Sequence, residues 1–157
     1  MEEATLGVIV ASDLDNPQVL ELLAVHLATT GADVPLCSAH GLDASALRAP
    51  GIEFWALWNG DELLGFGALK ELSPDHGEIK SMHVAEAKRR AGAGGAILTH
   101  IIAAARARGM RKLSLETGSA ESFRPARDLY RAHGFSDCGP FGGYVPDPNN
   151  SFMSLKL

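Results

Sequence analysis

Cysteine is scarce: the 157-residue chain has two, Cys37 and Cys138. Two thiols do not make a disulfide framework, and in a reducing cytosol both are expected to be free. Long apolar runs are missing too; none approaches the ~18 residues that cross a bilayer. Positive charge is in deficit, with 14 Lys and Arg against 19 Asp and Glu for a net charge of −5. A domain that lives on nucleic acid is ordinarily basic, so neither nucleic acid nor membrane is an expected partner. The opening Met1-Glu2-Glu3 is acidic and no secretion core follows it, which points to a cytoplasmic protein. Glycine (17) and proline (8) are aperiodic, which excludes a collagen or a linker. What remains is 46% hydrophobic and 21% charged. That is the balance of one globular domain over 1–157, long enough to bury a core.

Thr5–Ala11 reads as a buried first strand. Asp15 or Asn16 caps a helix with Pro17 in its first turn and Gly31 at its end. Val19, Leu22, Leu23, His26 and Leu27 share one face of it. A short helix is expected at Asp43–Leu47. Ile52–Trp58 and Leu63–Leu72 form a hairpin around Asn59-Gly60-Asp61. Gly77–Val84 is a third strand, antiparallel to its predecessor because no helix fits between them. Gly94, Ile97, Leu98, Ile101, Ile102 and Ala105 mark the apolar face of a long helix that stops at Gly109. Lys112–Thr117 is the next strand, parallel to the third across that helix. Pro125 opens a helix that closes at His133-Gly134. The tail holds a broken strand, a Gly/Pro loop and a last strand at Phe152–Leu157.

The chemistry concentrates in Glu78–Gly95, EIKSMHVAEAKRRAGAGG. A strand runs into a basic, glycine-rich turn that opens a helix. The N–H groups at a helix start, together with its dipole, make an anion site. Lys88, Arg89 and Arg90 stand beside it, so the residues themselves point to a phosphate-bearing ligand. The P-loop pattern fails for want of Gly-Lys-Ser/Thr, and the dinucleotide pattern fails because Ile97 takes the third glycine position.

The turn does match R-x-x-G-x-G, at Arg89, Gly92 and Gly94. Arg89–Leu98 resembles the pyrophosphate-binding turn of the GCN5-related N-acetyltransferases, the GNAT family. Ala126-x-x-Leu129-Tyr130-x-x-x-Gly134-Phe135 resembles the second signature of that family. Gly77-Glu78-Ile79 resembles the start of its fourth strand, where several members place a glutamate base. The asparagine often found seven residues before the signature tyrosine is Phe123 here. The resemblance spans nearly the whole chain. It implies a single-domain α/β (α+β) fold, with a mixed, mostly antiparallel central sheet flanked by helices. It also implies transfer of an acetyl group from acetyl-CoA, as co-substrate and without a metal, to a primary amine.

The resemblance assigns roles as well. Backbone groups of Met82, His83 and Val84 pair with the pantetheine arm, in a gap that a bulge opens between the fourth and fifth strands. The nitrogens of Arg89, Arg90, Ala91, Gly92, Ala93, Gly94 and Gly95 hold the pyrophosphate. Tyr130 assists departure of the thiolate. Glu78 is the base for the acceptor ammonium, directly or through a water, and Glu116 on the neighbouring strand competes for that role. Strand alternation puts Glu78, Lys80 and Met82 on one face until a bulge intervenes, with Lys80's charge beside Glu78. Gly139–Pro148, with Phe141, Tyr144 and Asp147, reads equally as a wall of the acceptor pocket or as a surface turn. No cysteine lies in the signature segments, which favours direct transfer over a thioester on the enzyme. The expected acceptor is a small or amino-acid-like amine. A protein amine, and monomer against homodimer, stay open. The rival readings are a non-catalytic acyl-CoA sensor and a nucleotide-binding protein.

Overall fold

The computed structural model describes residues 7–11, 14–32, 47–85, 92–142 and 144–157, with the backbone alone at 29–32. Cys37, Arg89, Arg90, Ala91 and most of the expected helix at Asp43–Leu47 lie outside the described residues. Local chemistry sets the element ends. Asn16 Oδ1 accepts the Gln18 N–H at 2.9 Å and so caps α1 (Pro17–Ala32). After β1 (Val8–Ala11) and α1, strands β2 (Ile52–Asn59) and β3 (Glu62–Ser73) form the expected hairpin, closed by Asn59 opposite Glu62. Strand β4 (His76–Val84) follows, then α2 (Ala93–Ala107) and β5 (Lys112–Gly118). A 3₁₀ turn at Glu121–Phe123 leads into α3 (Arg124–Ala132), with its proline in the first turn. Strands β6 (Ser136–Cys138) and β7 (Asn150–Lys156) complete the chain.

The strands make one sheet in the order β1-β2-β3-β4-β5-β7-β6. Every neighbouring pair is antiparallel except β4 and β5, which α2 connects in parallel. This is the expected mixed, mostly antiparallel sheet flanked by helices. Alternation along the strands separates two cores. Trp55, Leu57, Leu64, Leu69 and Ile79 face α2 and α3, packing on Ile97, Leu98, Ile101 and Tyr130. Phe54, Ala56, Phe66 and Ala68 face α1, packing on Val19 and Leu23. The first strand corrects its reading as buried: β1 is an edge strand with Val8 65% and Val10 43% exposed. Strand β7 starts two residues earlier than expected and inserts between β5 and β6.

One irregularity decides which residues meet. Phe66 pairs with His83 and Ala68 with Lys80, so β4 uses one residue more than β3 over that stretch. The extra residue is a β-bulge at Ser81 and Met82, and Ser81 takes a left-handed backbone at φ 52°. The bulge reverses the alternation beyond it. Met82 therefore turns to the α2 face, away from Glu78 and Lys80, as the expected alternation allowed once a bulge intervenes, and His83 takes the α1 face instead. Ser81 Oγ is buried with no hydrogen-bond partner among the described residues. A left-handed L-residue costs about 1–2 kcal/mol. Ser81→Gly should raise the stability read from the urea midpoint by about 1 kcal/mol. Ser81→Val should lower it by about 2 kcal/mol. A destabilised Ser81→Gly protein would contradict this account of the bulge.

Candidate active site

On the α1 face, Glu78 and Lys80 stand on β4 before the bulge. Both are buried, and Lys80 Nζ lies 3.4 Å from Glu78 Oε2, the proximity expected from strand alternation. Tyr144, from the segment between β6 and β7, completes the group. Its hydroxyl donates to Glu78 Oε2 at 2.6 Å and accepts from Lys80 Nζ at 2.7 Å. Its ring packs on Phe141 and Phe152, with centroids 5.2 and 5.6 Å away. Burial, the hydrogen bond to Glu78 and the charges of Glu78 and Glu116 push the phenol well above its usual range. Nearby, His76 Nε2 and Ser114 Oγ are 2.7 Å apart, and burial chiefly lowers that imidazole. Beyond the bulge, His83 and His26 of α1 meet at 3.0 Å between their Nδ1 atoms, so one ring donates and the other accepts.

At the α2 start no side chain caps the backbone among the described residues. Gly92 caps the helix in a left-handed conformation, φ 86°, with no side-chain hydrogen bond. The helix's own bonding begins with the Ala96 N–H on the Gly92 carbonyl at 3.0 Å. The N–H groups of Ala93, Gly94 and Gly95 therefore precede the first helical bond. Gly94 lies close to α3: a Cβ there would sit 2.9 Å from Leu129 Cδ2, which would have to shift. At Gly95 a Cβ would meet His133 at an ordinary 3.6 Å.

Between these two places the sheet opens. The parallel ladder of β4 and β5 runs from His76↔Lys112 to Ile79↔Leu115 and, among the described residues, goes no further. Beyond it β4 stays paired with β3 to Val84, and β5 with β7 to Gly118. Met82, His83 and Val84 line the β4 side of that opening, and Glu116 and Thr117 the β5 side. Tyr130 lies on the α2 face, 6% exposed, its ring centroid 5.9 Å from Phe135. Burial pushes its phenol up to about 12. Phe123, in place of the family's asparagine, packs its ring against Gly118 at the end of β5. The sequence brought Glu78, Lys80, Glu116 and the α2 turn into consideration. It did not pair Glu78 with Tyr144, 66 residues away, and it placed His26 on an apolar face without its partner His83. The aromatic content of the tail was the one available signal for Tyr144.

The fold is that of the acyl-CoA N-acyltransferases. A Klebsiella pneumoniae structure described by that name superposes with a TM-score of 0.78 at 25% identity, over 97% of this chain and 98% of its own. The family model for the acetyltransferase (GNAT) family matches residues 7–135. The N-acetyltransferase YsnE of Bacillus subtilis (strain 168) is 50% identical over 145 residues, 92% of this chain and 96% of that protein. An IAA acetyltransferase of Azospirillum brasilense is 40% identical over 141 residues, 89% of each chain. This chain belongs to the GNAT acetyltransferase family.

The histidine pair has a measurable consequence. Burial first, and His83 second, push His26 down to about 3 from an ordinary 6.5. The unfolded chain takes up a proton near the upper value that the native chain refuses until the lower one. Stability from this site is therefore complete above the unfolded value and is lost on acidification through the window. The slope is up to about 1.4 kcal/mol per pH unit. His26→Gln keeps a polar partner for His83 and removes the titration. Its urea midpoint should fall less steeply than wild type as pH drops from about 6.5 to about 4. Parallel slopes would show that another group carries the acid sensitivity.

Proposed function

We propose that this chain transfers the acetyl group of acetyl-CoA directly to the primary amine of a small, amino-acid-like acceptor. The observation that carries this reading is the opening between β4 and β5. An uncapped, glycine-rich helix start stands at one side of it and a buried carboxylate at the other. Bound there, acetyl-CoA supplies an activated thioester carbonyl. The N–H groups of Gly92, Ala93, Gly94 and Gly95 hold the pyrophosphate, with Ala91 and the charges of Arg89 and Arg90 completing the turn. Backbone groups of Met82, His83 and Val84 pair with the pantetheine. Glu78 takes the acceptor's proton. Glu78 and Glu116 place two carboxylates beside Tyr144, which suits an ammonium.

Tyr130 donates a hydrogen bond to the departing sulfur. A phenol at about 12 stays protonated. Full transfer to a thiolate of ordinary pKa about 8.5 would be uphill by roughly 5 kcal/mol. Stabilisation by a hydrogen bond is thus the role its environment supports.

The test is CoA-thiol release with a panel of amines: free amino acids, glycinamide, ethanolamine, spermidine and lysine-containing peptides. Release with the small amines and not the peptides is expected. CoA binding without release from any amine would favour the sensor reading. Gly95→Asp places a carboxylate at the helix start, where it suits the dipole. The apo protein should melt no lower than wild type while CoA affinity falls at least tenfold; unchanged affinity would remove the pyrophosphate assignment. Tyr130→Phe should lower kcat by about 10- to 100-fold, the worth of a hydrogen bond to a charged group, and leave CoA affinity intact. Wild-type kcat with chemistry rate-limiting would reduce Tyr130 to packing.

A further inference from the structure

We infer that Tyr144 is a catalytic residue, its phenol passing the acceptor's ammonium proton to Glu78. This rests on the acetyl-transfer reading above. The side chains of Glu78 and Lys80 are 3% and 9% exposed, whereas Tyr144 is half-buried. Of the three residues Tyr144 is the most exposed, so an incoming amine meets it first. Its orientation is determined: Lys80 Nζ offers only donors, so the Tyr144 O–H points at Glu78. The phenol thus already accepts from an ammonium at 2.7 Å while donating to a carboxylate at 2.6 Å. Those are the two bonds a relay uses.

In the step, an N–H bond of the acceptor ammonium breaks and its proton bonds to Tyr144 Oη. The Tyr144 O–H bond breaks in concert and its proton bonds to Glu78 Oε2. The ammonium becomes a neutral amine and the carboxylate a carboxylic acid, while the phenol and the Lys80 charge are unchanged. A phenolate is no resting state here, because burial and the two neighbouring carboxylates oppose it; hence the hand-off is concerted. Among the described residues, the titratable groups around the relay include Lys80 and His76 on β4 and Glu116 on β5. Phe141 and Phe152 close its other sides without a proton to exchange. The segment carrying Tyr144 is held in place. The Tyr144 N–H bonds the Phe141 carbonyl at 3.1 Å, and Ser119 bonds the carbonyls of Pro148 and Asn149 at 2.6 and 3.0 Å. That fixes the phenol before the acceptor arrives.

Tyr144→Phe keeps the ring and deletes the relay. With the best acceptor of the amine panel, kcat/KM near neutral pH should fall about 10²-fold. CoA affinity should not change, and part of the loss should return at high pH, where the amine sheds its own proton. Glu78→Gln should behave alike, and the double variant should lose no more than Glu78→Gln alone. In H2O/D2O mixtures the wild-type rate should curve with deuterium fraction, as two protons in flight require, and this reading needs no variant. A packing role alone would lower the rate equally at all pH values. A wild-type pH profile in Tyr144→Phe, multiplicative losses in the double variant, or a straight wild-type isotope plot would each overturn the relay and leave the acetyl-transfer reading standing. A wild-type enzyme that releases CoA with no amine of the panel would overturn both.

Discussion

The architecture turns on the point where two parallel strands stop pairing. Strands β4 and β5 exchange hydrogen bonds only as far as Ile79 and Leu115, yet each remains tied to its other neighbour for several residues more. A backbone donor or acceptor away from water needs a partner, so an opening inside a sheet is unfavourable unless something polar enters it. On the reading proposed above, that constraint suits the opening to the extended, amide-bearing pantetheine arm. The bulge at Ser81 belongs to the same arrangement. It turns the end of β4 over, so that Met82 packs towards α2 and His83 towards α1. Without it, His83 could not meet His26.

Buried ion pairs are weak evidence for stability, because desolvation offsets most of their attraction. The Glu78–Lys80 pair sits in the middle of a sheet face that could have been filled by apolar residues, as Phe54 and Ala68 fill it nearer α1. Its presence there, with a third polar group from a distant segment bonded to both members, argues that the face is kept for chemistry. The hydrophobic cores lie to either side and supply the rigidity.

Much of this was legible in the chain because local rules govern it. The hairpin followed from Asn59-Gly60, the end of α2 from Gly109, and the start of α3 from Pro125. The family resemblance joined the α2 turn to Glu78 and Tyr130. What sequence could not give was non-local. The family resemblance implied a bulge at the end of β4, but nothing in the chain marks Ser81 as its place, as a glycine would mark a left-handed backbone. The insertion of β7 between β5 and β6 is a matter of topology, not of propensity. Val8 and Val10 looked like core residues because edge and central strands share the same β-branched composition. Tyr144 stands in a Gly/Pro-rich stretch with no period to read, and its partner lies across the fold.

The two halves of the site are built from different material. On the reading proposed above, the anion-binding half is the set of backbone N–H groups at the start of α2, where Gly94 approaches Leu129 of α3 closely. In the same proposal the proton-handling half depends on side chains, one of them delivered by a connecting segment that is pinned to Ser119 at its far end. Backbone donors recognise the phosphate of any chain that keeps the helix start, whatever residues surround it. A segment between two strands can change length and composition without disturbing the sheet. The proposed assignment therefore ties cofactor recognition to the backbone of the fold, and acceptor chemistry to Tyr144 and the two charged groups it bonds.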